Sequence, residues 1–281
     1  MTDLGQVFQT LRHSRGLSLK EVTGGEFSSS VLSRFERGET SLSADKLFTA
    51  LNHLSLDPGE FGLLLSGSVQ LELEDLLDEL HQADQAGLKR LLEREKDLEL
   101  QDGKATYHRL NQLMISVTMA QKDDDYLVPQ TDRDFLHDYL FSAQLWGAYE
   151  LLLFQHTSPL FSASLYQVYS QEMMGKMAEL GTYPRNRRTM QAILLNGFFL
   201  AVEQGEFAIA DWFDQTISKH FDRDRDAYLR MVYRIAQGYR VYMQGDETGL
   251  ARIEAMIAIF DQLDMGFAKD YYQPLLDRLK K

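Results

Sequence analysis

The chain has no cysteine and only five prolines. The first absence excludes disulfides, thiolate zinc sites and catalytic thiols, and suits a reducing compartment. The second leaves helical runs almost unbroken. No apolar stretch approaches the roughly 18 to 20 residues of a membrane span, and the N-terminal stretch has no apolar signal region. The expected location is therefore the cytoplasm, with no membrane partner. Basic residues are also scarce: 29 Lys and Arg face 42 Asp and Glu, for a net charge of −13. That balance argues against nucleic-acid binding by the whole surface.

Signs of catalysis are missing too. The seven histidines are scattered singly, and none stands in a metal-ligand spacing. There is no phosphate loop and no dinucleotide fingerprint. Ser43-Ala-Asp-Lys46 has a Ser-x-x-Lys pattern but stands at a helix start, where serine caps. Asp123-Asp-Asp125 and Asp222-Arg-Asp-Arg-Asp226 lack the glycine and closing glutamate of a calcium loop and read as solvated segments. No enzyme activity, cofactor or metal is expected.

What is present is helix. The 281 residues, 44% of them hydrophobic, suffice for two domains. Leu4, Val7, Phe8 and Leu11 form a first stripe ended by Gly16. Ser18-Leu-Lys-Glu21 is a capping box opening a very short helix that stops at Gly24-Gly25. There follows Phe27-Ser-Ser-Ser-Val-Leu-Ser-Arg-Phe-Glu-Arg-Gly-Glu39. Its Phe27, Val31, Leu32 and Phe35 share one helix face, Ser28 suits the N-cap, and Gly38 suits the position past the end. Ser43 and Asp57-Pro-Gly-Glu60 open two more helices. A short helix, a glycine turn and an amphipathic helix at positions two and three of five make a helix-turn-helix. Small hydroxyls and arginines on the open face suit a major groove. On that reading Arg12, Arg15, Lys20 and Arg37 hold phosphates, while Ser29, Ser30, Ser33 and Arg34 approach bases. The alternative for the same residues is a small helical dimerisation domain.

The first forty residues are electrically neutral. Arg12, Arg15, Lys20, Arg34 and Arg37 offset Asp3, Glu21, Glu26, Glu36 and Glu39. The acid excess lies downstream, so this end alone would be steered to DNA, and weakly.

From about residue 69 onward helical stripes follow one another: Leu71–Leu80, Leu88–Leu98, Leu110–Met119, Phe135–Leu140, Leu145–Phe154, Leu165–Met177, Met190–Val202, Phe207–Ile217, Tyr228–Met243, Leu250–Leu263 and Tyr271–Leu279. Breaks are expected at Asp102-Gly103, Asp123-Asp-Asp125, Ser158-Pro159, Thr182-Tyr-Pro184, Gly205, Gly245 and Gly266. The stretch from Gly197 to Ala210 parallels that from Gly238 to Ala251. Each has a small residue where helices must touch, a Gly-acid turn, and an alanine opening the next packing face. This spacing is near that of helix-pair repeats, which stack into a superhelix with a concave face. The fold expected is all-α: a helix-turn-helix domain over 1–66, then a right-handed α-solenoid of tetratricopeptide-like (TPR-like) helix pairs over 67–281. A globular helical bundle is the alternative for the second part.

On the concave face, asparagines can bond an extended backbone, aromatics give apolar area, and arginines hold carboxylates. Candidate ligand residues are Asn111, Trp146, Tyr149, Arg185, Arg188, Asn196, Phe199 and Tyr239. Each aromatic fits core packing as well, and Arg185, Arg187 and Arg188 fit equally a set of salt bridges at a helix start. Asn196 is the foremost candidate, as a buried amide in an apolar run that would need a partner.

Leu17-Ser-Leu-Lys-Glu-Val22, Gly24-Gly25, Phe27-Ser28 and Leu32-Ser-Arg-Phe-Glu-Arg-Gly-Glu39 resemble the repressor/Cro-like (XRE) DNA-binding domain, and most closely its Rgg-type branch. A looser echo, Tyr139-Leu-Phe-Ser and Trp146-Gly-x-Tyr149-Glu150, extends the likeness into the second part. The resemblance implies a lambda-repressor-like five-helix head on double-stranded DNA, at a two-fold symmetric operator. It implies a sensor for a short hydrophobic peptide pheromone, in a quorum-sensing type of transcription regulation, and a homodimer. Some members carry a cysteine that links the dimer; this chain has none, so its dimer would be non-covalent. Two rivals remain: a regulator answering to a protein or an unknown ligand, and a repeat scaffold with a vestigial helix-turn-helix.

Overall fold

The apolar stripes, capping serines and left-handed glycines together place sixteen α-helices, and no strand, among the described residues. The computed structural model describes residues 4–66, 72–101, 104–123, 125–220 and 226–281. The chain divides into two compact units, Met1–Asp75 and Leu76–Lys281. The expected 66/67 boundary abuts residues outside the described set. Asp102-Gly103, Asp124 and most of the Asp222–Asp226 segment lie outside the described residues.

The first unit holds α1 (Leu4–Ser14), α2 (Leu19–Thr23), α3 (Ser29–Glu36), α4 (Ala44–His53) and α5 (Pro58–Ser66). Phe8, Val22, Leu32, Phe35, Leu51 and Phe61 fill its core, with Phe8 edge-on to both Phe35 and Phe61. Gly5 permits close passage of α1 over the end of α3, because a Cβ there would overlap the Phe35 carbonyl oxygen.

The helices that follow are α6 (Glu72–Gln82), α7 (Gln85–Gln101), α8 (Ala105–Lys122), α9 (Gln130–Ser142), α10 (Ala148–His156) and α11 (Ala163–Met177). The last five are α12 (Pro184–Glu203), α13 (Phe207–His220), α14 (Ala227–Met243), α15 (Thr248–Gln262) and α16 (Gly266–Leu279). In the second unit α7 packs on α8, α12 on α13 and α14 on α15, while α8, α10, α12 and α14 touch in a row across the pairs. Such stacking buries apolar faces that one pair could not bury alone. Among the described residues no helix is long and apolar enough to cross a membrane.

The repeat positions act as the spacing suggested, with one exchange. A Cβ at Gly197 would overlap Phe213 and stand 2.8 Å from Tyr166 Cδ1, so α12 meets its neighbours through that glycine. In the later copy Gly238 and Gly249 face each other across α14 and α15. Ala210 is buried, but Ala251 is exposed and Gly249 takes its packing role. One expected stripe and one expected break also move. Leu145 and Trp146 precede α10, whose start is fixed by Glu150 accepting from the Gly147 N–H at 2.9 Å. The last break falls at Asp264, whose φ is 55°, and Gly266 begins α16.

Candidate DNA-reading helix and ligand groove

Local chemistry shapes the α2–α3 pair. Ser18 and Glu21 exchange the reciprocal bonds of a capping box, and Gly24 and Gly25 turn the chain at φ 56° and 80°. Ser28 Oγ accepts from the Ser30 N–H at 3.2 Å and starts α3. Its end is a Schellman turn: Gly38, at φ 72°, donates to Phe35 O, and Glu39 donates to Arg34 O, each at 2.9 Å. Leu32 and Phe35 point into the core, leaving Ser30 and Arg34 exposed and Ser29 and Ser33 partly so.

The eight residues expected at DNA separate into groups. Ser29, Ser30, Ser33, Arg34 and Arg37 lie on one helix and its cap. Arg34 is exposed and carries no side-chain hydrogen bond, whereas Arg37 is engaged: it donates to Glu39 at 2.6 and 3.0 Å and to Ser33 Oγ at 2.6 Å. That pairing holds the Arg37 guanidinium above its usual pKa. Lys20 is exposed. Arg15 is exposed but tied to the Leu54 carbonyl. Arg12 departs from expectation. It is 7% exposed and forks onto Glu36 while also donating to Leu17 O at 2.8 Å. A buried, fully engaged guanidinium is part of the framework and is not available to a phosphate.

The eight ligand candidates fall into four places. Asn196 and Phe199 on α12 line a groove of about 470 Å³ with Leu200, Glu203, Tyr271, Tyr272 and Leu275, floored near Ser158-Pro159 and Tyr166. Phe199 stacks on Tyr272 with centroids 6.1 Å apart and leans on Tyr239 at 6.4 Å. Tyr239 itself is 4% exposed and backs the wall. Arg278 pairs with Glu203 at 3.2 Å beside this groove. Asn196 was expected to be buried; it is exposed, so its amide is presented outward from an apolar helix. Two other depressions, of about 590 and 650 Å³, lie along the polar side of α7 by Arg90 and Arg94 and hold none of the eight.

Asn111 and Tyr149 lie elsewhere, Asn111 bonded to Glu95 and Tyr149 within its electrostatic reach. Burial, with Tyr107 and the nearby carboxylates Glu150 and Glu95, raises the Tyr149 phenol far above its ordinary pKa. Arg185 and Arg188 stand in the first turns of α12, and Arg188 is exposed. Their neighbour Arg187 reaches Asp226 at 3.6 Å, the salt-bridge role weighed for this cluster. Trp146 is a correction: it is fully buried against Phe154 and is core. Sequence reasoning missed Glu95, Tyr271 and Tyr272. The tyrosine pair was visible as a double aromatic late in the chain. Glu95 sits within Glu93-Arg-Glu-Lys96, which reads like any solvated run.

The family model described as HTH-type transcriptional regulator Rgg, C-terminal domain, matches residues 92–274. The fold is similar to that of the Streptococcus dysgalactiae SHP pheromone receptor Rgg2, with a TM-score of 0.83 and 21% identity over 98% of this chain and 99% of that one. A Listeria monocytogenes EGD-e protein has a TM-score of 0.82 at 20% identity, covering 99% and 97%. PrgX in its complex with cCF10 has a TM-score of 0.72 at 12% identity, covering 100% and 93%. These solved structures share the all-helical architecture.

Proposed function

The chain belongs to the Rgg family of HTH-type transcriptional regulators, and from that premise we propose that it is a cytoplasmic, non-enzymatic regulator whose second unit binds a short peptide that alters its action on DNA. The observation that carries the peptide half is Asn196. An exposed amide in the middle of an apolar helix, on the wall of an aromatic groove, can bond an extended backbone while Phe199 and Tyr272 take up side chains. That two similar folds are a pheromone receptor and a protein solved with cCF10 supports this reading.

For the DNA half, Arg34 approaches base edges with Ser29 and Ser30, and Lys20 holds phosphate, while Glu39 and Ser33 keep Arg37 in reserve. The reading head is nearly neutral once Arg12 and Glu36 are sequestered together, so one head has little electrostatic grip. A non-covalent homodimer on a two-fold operator supplies the second head. No cofactor takes part.

Two measurements test the proposal. Arg34→Ala should weaken operator binding in a gel shift, and unchanged affinity would remove α3 from the groove. Pools of short hydrophobic peptides should raise the melting temperature of the wild-type chain. An undiminished rise in Asn196→Ala would displace the ligand from this groove.

A further inference from the structure

Glu95, on α7, is 4% exposed, and its two oxygens are unequally served. Oε2 accepts from His108 Nδ1 at 2.8 Å and from Asn111 Nδ2 at 2.9 Å. Among the described residues Oε1 has only a long contact of 3.5 Å, from Arg94. A carboxylate offers about four acceptor positions, so this one is short of donors. Next to it Asn111 Oδ1 is buried with no partner, and so is the Tyr149 hydroxyl. Buried acceptors left empty are costly and uncommon in native proteins.

The surroundings of these atoms are aromatic. Tyr107 packs edge-on to Tyr149 with centroids 4.8 Å apart, and Tyr139 does so at 6.4 Å. Tyr107 is 45% exposed and forms the cluster's outer edge. Tyr139 donates to Glu150 at 2.9 Å, which brings a second carboxylate close. The place is therefore rich in acceptors and π faces and poor in donors. Groups that answer all three conditions are a primary ammonium or a guanidinium, each with several N–H donors and a charge suited to tyrosine rings.

We propose that Glu95, Asn111 and Tyr149, roofed by Tyr107, form a subsite for a basic side chain of the peptide ligand. This rests on the peptide-binding reading above and narrows it from a hydrophobic peptide to one with a cation at a set distance. Tyr149 stands in the first turn of α10, and Ser158, at the groove, follows its end. Nine residues of helix span roughly 13 Å. About four residues of extended peptide cover the same length. The ligand thus carries its Lys or Arg about four residues from the part of its chain that lies by Ser158.

The test uses the full chain and three synthetic pools of acetylated, amidated apolar octapeptides, each bearing one Lys, one Gln or one Asp. The Lys pool should raise the melting temperature most, with an apparent affinity at least tenfold above that of the Gln pool. Tyr149→Phe should reduce that preference, keep the response to the Gln pool, and leave the free protein's melting temperature unchanged, since the hydroxyl has no partner to lose. Equal responses to the Lys and Gln pools in the wild type overturn the subsite while leaving the groove standing. A Lys preference undiminished in Tyr149→Phe overturns it too, as does a marked fall in the free variant's melting temperature. A response to none of the pools overturns the groove and the subsite together.

Discussion

Arg12 and Glu36 form a buried two-pronged ion pair, with Nε to Oε1 at 2.6 Å and Nη2 to Oε2 at 2.7 Å. The pair joins the end of α1 to the end of α3, one residue before the cap that aims Arg37. Its hydrogen bonds to Glu36 hold the guanidinium above its usual pKa despite burial. The third helix is thereby fixed from below by charges turned into the core.

Removing one partner strands the other charge in the core. Glu36→Gln or Arg12→Ala should cost the first unit about 3 to 5 kcal/mol, read by urea unfolding. Replacing both by apolar residues of similar volume should recover most of that loss. If either single variant unfolds at the wild-type midpoint, the pair does not brace α3.

On the outer face the order of effects reverses. Arg34→Ala should leave stability within about 0.5 kcal/mol and cost about 1 to 3 kcal/mol of operator discrimination. Arg37 is held by Glu39, so Glu39→Gln should release it toward phosphate. The slope of log K against log salt should then steepen by roughly 0.9 per head. An unchanged slope would mean that Arg37 stays where Ser33 and Glu39 place it.

This division marks how far the sequence could be read. Caps and turns at Ser18, Ser28, Gly38 and Gly205 were legible because each rests on local geometry that one residue type satisfies. So were the helix stripes, whose period reports burial directly. Arg12 was not legible: an arginine after an apolar stripe looks the same whether it faces solvent or a carboxylate 24 residues away. The exposure of Asn196 was not legible, because α12 buries residues on most of its circumference. Trp146 was misjudged for a similar reason, since the chain bends at Gln144-Leu145 and the indole that follows is buried.

His156 should make the second unit sensitive to acid. Thr118 donates its own proton to Met114 O at 3.0 Å, so the imidazole Nε2 donates to the Thr118 hydroxyl, also at 3.0 Å. Burial, aided by His81, lowers the His156 pKa from 6.5 to about 4. Between those values the unfolded chain binds a proton that the folded chain refuses, so stability falls as pH drops below 6.5. The loss is about 2 kcal/mol at pH 5 and about 3 kcal/mol when complete. Urea unfolding at pH 7.5 and pH 5 should show this difference in the wild type and a smaller one in His156→Gln. Equal differences in the two proteins would rule out the imidazole as the source.

The repeat glycines set the spacing of the helix pairs, and the two copies should differ in how they fail. At Gly197 an added methyl meets side chains: Phe213 and Tyr166, both fully buried and unable to swing into solvent. Gly197→Ala therefore forces a shift of α12 or α13, at a cost of about 1 to 3 kcal/mol. At Gly249 the methyl meets backbone, overlapping Gly238 O and coming within 2.5 Å of Tyr242 N. Backbone cannot change rotamer, so α14 and α15 must part along their length. Separation there carries further, because Tyr242 also donates to Leu279 O at 2.7 Å and so ties α14 to the end of α16. The helix α16 supplies Tyr271, Tyr272 and Leu275 to the groove. Gly249→Ala should accordingly lower both the unfolding midpoint and the melting shift produced by hydrophobic peptides. Gly197→Ala followed by Phe213→Leu should regain stability by making room for the methyl. A Gly249→Ala protein with wild-type stability and an intact peptide response would show that α14 and α15 do not hold the groove wall.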